Sequence, residues 1–157
     1  MAKGTSHATV SLVLAGSVQV LPFVTQFTMQ QTVPFSIGAL LGIFLTPDLD
    51  LVGGSISQRQ VKRQAGNIIG TLWCALWYPY ARLLGHRSWL SHTPFIGTLF
   101  RVVYMFLVPM AIWSLLWYTG VVDAAPPVPA LGIPDPAVLW GFLGLCASDC
   151  LHWLMDR

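Results

Sequence analysis

Four short stretches hold every histidine of this chain and four of its six aspartates: Ser6-His7, Pro47-Asp48-Leu49-Asp50, His86-Arg87-Ser88-Trp89-Leu90-Ser91-His92 and Ser148-Asp149-Cys150-Leu151-His152-Trp153-Leu154-Met155-Asp156. Glutamate is absent. These residues are therefore nearly the whole stock of imidazole and carboxylate donors. Such donors together suit divalent cations, Zn²⁺ first and Mn²⁺ or Mg²⁺ after it. The expected ligands of one or two ions are His7, Asp48, Asp50, His86, His92, His152 and Asp156.

The spacing within each cluster carries its own argument. Asp149, His152 and Asp156 stand at i, i+3 and i+7, one stripe of a helix. His152 and Asp156 form H-x-x-x-D, one turn apart and able to share an ion. The bland alternative is a helix end that simply turns polar. Asp48 and Asp50 alternate, so an extended turn would aim both carboxylates the same way. Aspartate is also common in ordinary turns, but acids after a helix C-terminus oppose its dipole. His86 and His92 bracket Arg87, Ser88 and Ser91, which reads as ligands beside an anion-binding group. Arg87 can grip a phosphate through two parallel hydrogen bonds, or can serve membrane orientation alone. His7 gains meaning only if the fold brings it to the others.

Something must carry these clusters to one place, and the composition says what. Hydrophobic residues make up 55% of the 157 and charged residues 9%, against about 25% charged in a soluble domain. Mean hydropathy is +0.66. Too few charges exist to coat a water-exposed surface, so the expectation is an all-α integral membrane bundle forming a single domain over 1–157. Four spanning helices are expected: 8–26, 33–45, 94–121 and 137–155. The second is short, because ~13–15 residues rise only ~20 Å against ~30 Å of hydrocarbon. Its helix either ends below the lipid surface or starts earlier, near Phe27. The first is read as a retained span rather than a cleaved signal, since its apolar run continues past Ala15-Gly16-Ser17. Residues 67–84 carry Trp73, Trp77, Tyr78 and Tyr80 and read as an interfacial or re-entrant helix. Gly38-x-x-x-Gly42 and Gly66-x-x-x-Gly70 offer close helix approach. Cys74, Cys146 and Cys150 read as packing residues rather than a disulfide framework.

Charge placement fixes the expected topology. If 67–84 does not cross, then Lys3, Arg59, Lys62, Arg63, Arg82, Arg87 and Arg157 share one side, and Arg101 snorkels toward it. The proline-rich 123–136 loop, free of Lys and Arg, takes the other side. That is a positive-inside pattern with both termini cytoplasmic. The same arrangement gathers all seven candidate ligands at the cytoplasmic end.

The N-terminal His, PDLD after the second apolar segment, HRSWLSH and the final SDCLHWLMD resemble an uncharacterised bacterial family of metal-binding membrane proteins. Their order is also similar to the LexA-regulated inner-membrane family of metal-dependent hydrolases, with P-D-[IL]-D, H-R-G-x-T-H-S and H-x-x-x-D. Here His86 and His92 are six apart rather than five, and Ser88 stands for glycine, so the first family is the nearer. A fainter likeness is to zinc-dependent phospholipase C. The resemblance implies metal binding. Three functional readings follow. In a metal-dependent hydrolase, the ion would activate water, Asp149 or a spare carboxylate would act as general base, and Arg87 would steady an oxyanion. A phosphoester of a lipid is the natural substrate at that depth. In an accessory or assembly subunit, a closed structural ion would clamp the helices. A transporter ranks third, because a pathway needs polar groups near mid-membrane. The partners expected are the lipid bilayer and, for an enzyme, a lipid or phosphate-containing substrate. An oligomer or larger complex is compatible, and nucleic acid is not expected.

Overall fold

The computed structural model describes residues 4–51, 55–85, 88–127 and 134–156; of Gly4, Thr5 and Ile56 only the backbone is described. All regular elements among them are helical: α1 (Gly4–Val18), α2 (Leu21–Val24), α3 (Met29–Leu41), a 3₁₀ turn (Pro47–Asp50), α4 (Ile56–Leu83), α5 (Trp89–His92), α6 (Ile96–Tyr118) and α7 (Pro136–Met155). Three segments are long and apolar enough to cross a membrane: Ser6–Val24, Ile96–Tyr118 and Pro136–Met155. Their outward surfaces carry Leu12, Phe23, Phe106, Leu107, Leu115 and Val138, all exposed. An apolar belt of this kind suits hydrocarbon better than water.

The second expected span, 33–45, takes the earlier start that its shortness allowed. The helix runs over Met29–Leu41, 13 residues, which rise about 20 Å and fall short of ~30 Å of hydrocarbon. It starts before Pro34, because the Thr28 N–H is capped by the Gln31 side chain at 2.8 Å. Even so, α3 is a full return leg of the bundle. Phe27, just before it, meets Trp140 near the start of α7 edge-on. Gly42, just after it, lies against Ser148 near the end of α7. The legs α1, α3, α6 and α7 therefore alternate in direction. Polar ties inside the apolar bundle hold α1 to α3: Gln19 donates to the Thr32 carbonyl at 2.8 Å and to Ser36 at 2.6 Å. Ser36 donates to the Ala15 carbonyl at 2.8 Å. Where no water competes, such interhelical bonds help register the legs.

α3 and α7 touch backbone to backbone. A Cβ on Gly38 would collide with the Gly141 carbonyl, and one on Gly144 with the Phe35 carbonyl. The close approach that Gly38-x-x-x-Gly42 offered is realised, with α7 supplying the matching small residues. Gly144→Leu is expected to push α3 away from α7 and to destabilise the protein by about 1–3 kcal/mol or more, the cost of overpacking. Gly16→Ala, inside α1 and with nothing within 4 Å of the added Cβ, should leave the melting temperature the same or slightly raised, since alanine favours a helix. Thermal unfolding in detergent checks both; equal behaviour of the two variants would contradict the packing argument.

Residues 67–83 form the second arm of α4, bent at Gly66, whose φ of 85° is a left-handed conformation that favours glycine. Gly70 of that arm packs onto Lys62 of the first. The second arm is not among the segments fit to span. It builds a core with the 3₁₀ turn: Leu49, fully buried, and Leu45 pack with Trp77, Tyr80 and Leu145. That core seats the Asp48–Asp50 turn on the bundle.

Candidate metal centre

The amino ends of α1 and α6 and the carboxyl ends of α3 and α7 meet at one end of the bundle, and the acid and imidazole clusters meet with them. His7 from α1 and His152 from α7 stack face to face, with centroids 3.9 Å apart and planes 19° apart. Asp156 bridges them. Its Oδ1 lies 3.4 Å from His7 Nε2 and its Oδ2 3.3 Å from His152 Nε2. These three residues offer donor atoms all within 4.8 Å of one another. Asp48 comes in from the 3₁₀ turn, its Oδ1 3.7 Å from His152 Nε2 and 3.9 Å from His92 Nε2.

The spacings fit a divalent ion. Two donors each about 2.0–2.1 Å from zinc in a tetrahedron stand roughly 3.3–3.4 Å apart. The Asp156–imidazole separations fall there, and those of Asp48 lie a few tenths of an ångström beyond. His152 Nε2 and His7 Nδ1 are buried and make no hydrogen bond. A buried polar atom without a partner is costly, and a buried imidazole nitrogen flanked by two carboxylates is accounted for by a cation between them. The Asp48 carboxyl shows the electrostatics. Burial pushes its pKa up, but the neighbouring His152 imidazole and then that of His92 outweigh that and hold it below the usual carboxylate value.

Asp50 has a different job from the one its spacing suggested. The PDLD segment is a 3₁₀ turn rather than an extended one, so its two carboxylates diverge around the His92 ring. Asp50 Oδ2 lies 3.4 Å from His92 Nδ1 and accepts a hydrogen bond from Ser91 Oγ at 2.7 Å. Ser91 Oγ is also 2.9 Å from His92 Nδ1. This chain assigns the imidazole proton to Nδ1 and turns the Nε2 lone pair toward Asp48. A carboxylate behind a metal-binding histidine raises its basicity and fixes its ring. Asp50→Asn is expected to weaken metal affinity ~10–100-fold without changing the stoichiometry at saturation. Competition with a chromophoric chelator reads this directly, and an affinity equal to wild type would remove Asp50 from the role.

Asp149 lies on the His152 stripe but is engaged elsewhere. It is buried, paired with Arg101 and hydrogen-bonded by Thr98. Arg101 was expected to snorkel to the surface; it is instead 1% exposed, and its Nη1 donates to the Ser91 carbonyl at 2.8 Å. One buried guanidinium thus ties α6 and α7 to the turn that carries His92. The sequence did hold the signal: a charged residue two turns inside an apolar helix is costly and turns to the protein interior. Ser91 and Thr98 gave no such signal, since hydroxyls are ordinary in membrane helices. His86 and Arg87 lie outside the described residues.

Comparison with known proteins agrees with the chemistry of the cluster. Residues 2–157 match a family described as uncharacterized metal-binding protein (DUF2227), and the chain belongs to that family. Neither a curated protein nor a solved structure matches it.

Proposed function

We propose that this member of a metal-binding family is an integral membrane protein of the bacterial inner membrane that acts as a metal-dependent hydrolase. The observation that carries the reading is the convergence of His7, Asp48, His92, His152 and Asp156 from four separate segments, with the buried His152 Nε2 lacking a hydrogen bond between two carboxylates. In this reading His7, His152, Asp156 and Asp48 hold a divalent ion, zinc first. His92 either completes that sphere or begins a second one through the shared Asp48. Such an ion supplies Lewis acidity, which polarises a phosphoryl or carbonyl oxygen and acidifies water.

The chain's own groups do the rest. Asp50 and Ser91 keep the His92 proton on Nδ1. Asp149 holds geometry rather than moving a proton, because Arg101 and Thr98 engage its Oδ2. Proton transfer falls to the second oxygen of a ligating carboxylate, and Asp48, with its side chain 23% exposed against 18% for Asp156, is the more accessible of the two. The substrate class that suits a site at headgroup depth is a lipid phosphoester, with Arg87 as the oxyanion contact. Both termini are cytoplasmic in this proposal, which follows from alternating legs and the Lys/Arg bias.

A second reading has one observation behind it. His7 and His152 are 9% and 5% exposed, burial that also suits a closed structural ion clamping the helices of an assembly subunit. Elemental analysis of purified protein, followed by phosphoester, carboxyl-ester and amide panels on metal-loaded samples, separates the cases. Stoichiometric metal with phosphoester turnover supports the hydrolase. Stoichiometric metal with no turnover on any panel supports the structural ion, and protein without metal overturns both.

A further inference from the structure

Beside the ligands lies a cavity of about 20 Å³, whose lining includes His7, Asp48 and His152 together with Thr46, Ser11 and Ser148. Polar side chains stand among its lining residues, and besides His152 Nε2, which faces the two carboxylates, two of those residues carry a buried atom that makes no hydrogen bond: His7 Nδ1 and Thr46 Oγ1. Ser11 and Ser148 hydrogen-bond to each other at 2.7 Å. That bond uses one of the two hydroxyl protons, so the other can be donated into the cavity. A space of this size holds one water molecule if it offers two to four polar partners, and this one does. We propose that the cavity is a binding site for a single water molecule or one terminal atom of a small anion, held between the imidazole–carboxylate donors and the Ser11–Ser148 pair.

The inference rests on the metal-binding reading and sharpens it. A closed structural sphere has no exchangeable position, whereas a catalytic one keeps a place open for water or substrate. The cavity supplies such a place beside the donors. Its volume also limits what enters. A water molecule or one oxygen fits, so the bulk of any larger substrate must stay on the solvent side, near Asp48. Ser11 acts here as a hydrogen-bond donor to the occupant and not as a ligand of the ion.

The test uses full-length protein loaded with Co²⁺ and titrated with azide, followed by the visible absorption of the cobalt. Azide is expected to shift the cobalt bands of the wild type. Ser11→Val removes the hydroxyl and adds bulk at the cavity wall, so it is expected to weaken azide at least tenfold with cobalt content unchanged. Ser11→Ala removes the hydroxyl alone and should fall between the two; it keeps the test intact if the valine variant does not fold. Stoichiometric cobalt whose spectrum ignores azide would overturn the cavity site while sparing the metal centre. So would alanine and valine variants that titrate like wild type. Failure to take up cobalt at all would overturn both.

Discussion

Asp149→Ala is expected to destabilise the protein by about 3–5 kcal/mol, the cost of stranding one partner of a buried ion pair. Asp149 and Arg101 are 2% and 1% exposed, so water cannot take over the lost interaction and screening does not soften it. The carboxylate also accepts from Thr98, whose hydroxyl would be left buried without that acceptor. Arg101→Leu should cost a similar amount, for the same reason seen from the other charge. The double variant Arg101→Leu/Asp149→Ala is expected to be milder than either single one, because no unpaired charge remains. Detergent unfolding of the four proteins forms a double-mutant cycle whose coupling term measures the pair. Single variants that melt with the wild type would show that the pair is not buried as described. Arg101 also holds the Ser91 carbonyl, so the singles should lose metal affinity as well as stability.

His152→Ala is expected to abolish stoichiometric metal binding. His152 is the residue most entangled in the donor set: it stacks on His7 and flanks both Asp156 and Asp48. Its loss should weaken affinity by more than ~100-fold, since even partners behind a ligand are worth ~10–100-fold. Asp156→Ala should follow closely. His92→Ala is the informative contrast. One shared ion predicts a lower affinity at unchanged stoichiometry, whereas two ions predict the loss of one equivalent. Elemental analysis after gel filtration reads both numbers. A His152→Ala protein that retained full metal would remove this cluster from consideration.

Acidification should release the metal. Coordinating imidazoles must be neutral, so occupancy is expected to fall as pH drops below the ordinary histidine range, ~6.5. Asp48, held below the usual carboxylate value, stays ionised through that window. Because protons compete with the ion, the midpoint should move to lower pH as free metal is raised. Metal content against pH at two free-metal concentrations, by equilibrium dialysis, checks this, and a midpoint that does not move would contradict it.

Much of the site was legible in the chain alone. The scarcity of acids, with glutamate absent, made each His and Asp conspicuous. Spacing within one helix was reliable too: His152 and Asp156 are in contact at 3.3 Å, as i and i+4 positions on a helix face must be. The helical class and the apolar segments near 8–26, 94–121 and 137–155 followed from composition and length. These are local properties, written in consecutive residues.

The tertiary structure decided what local periodicity cannot reach. Arg101 finds Asp149 from 48 positions away, and that distance turned an expected snorkelling residue into a buried strut. The 3₁₀ turn sent Asp50 behind His92 rather than beside Asp48, a consequence of Leu49 plugging the core under α4. The depth at which α3 meets α7 comes from glycine backbones in contact, and it aligns the Asp48 turn with the end of α7. A sequence specifies which face of an element a donor occupies. Which faces meet, and at what depth, is set by long-range packing between elements, where a displacement of one ångström separates a ligand from a support.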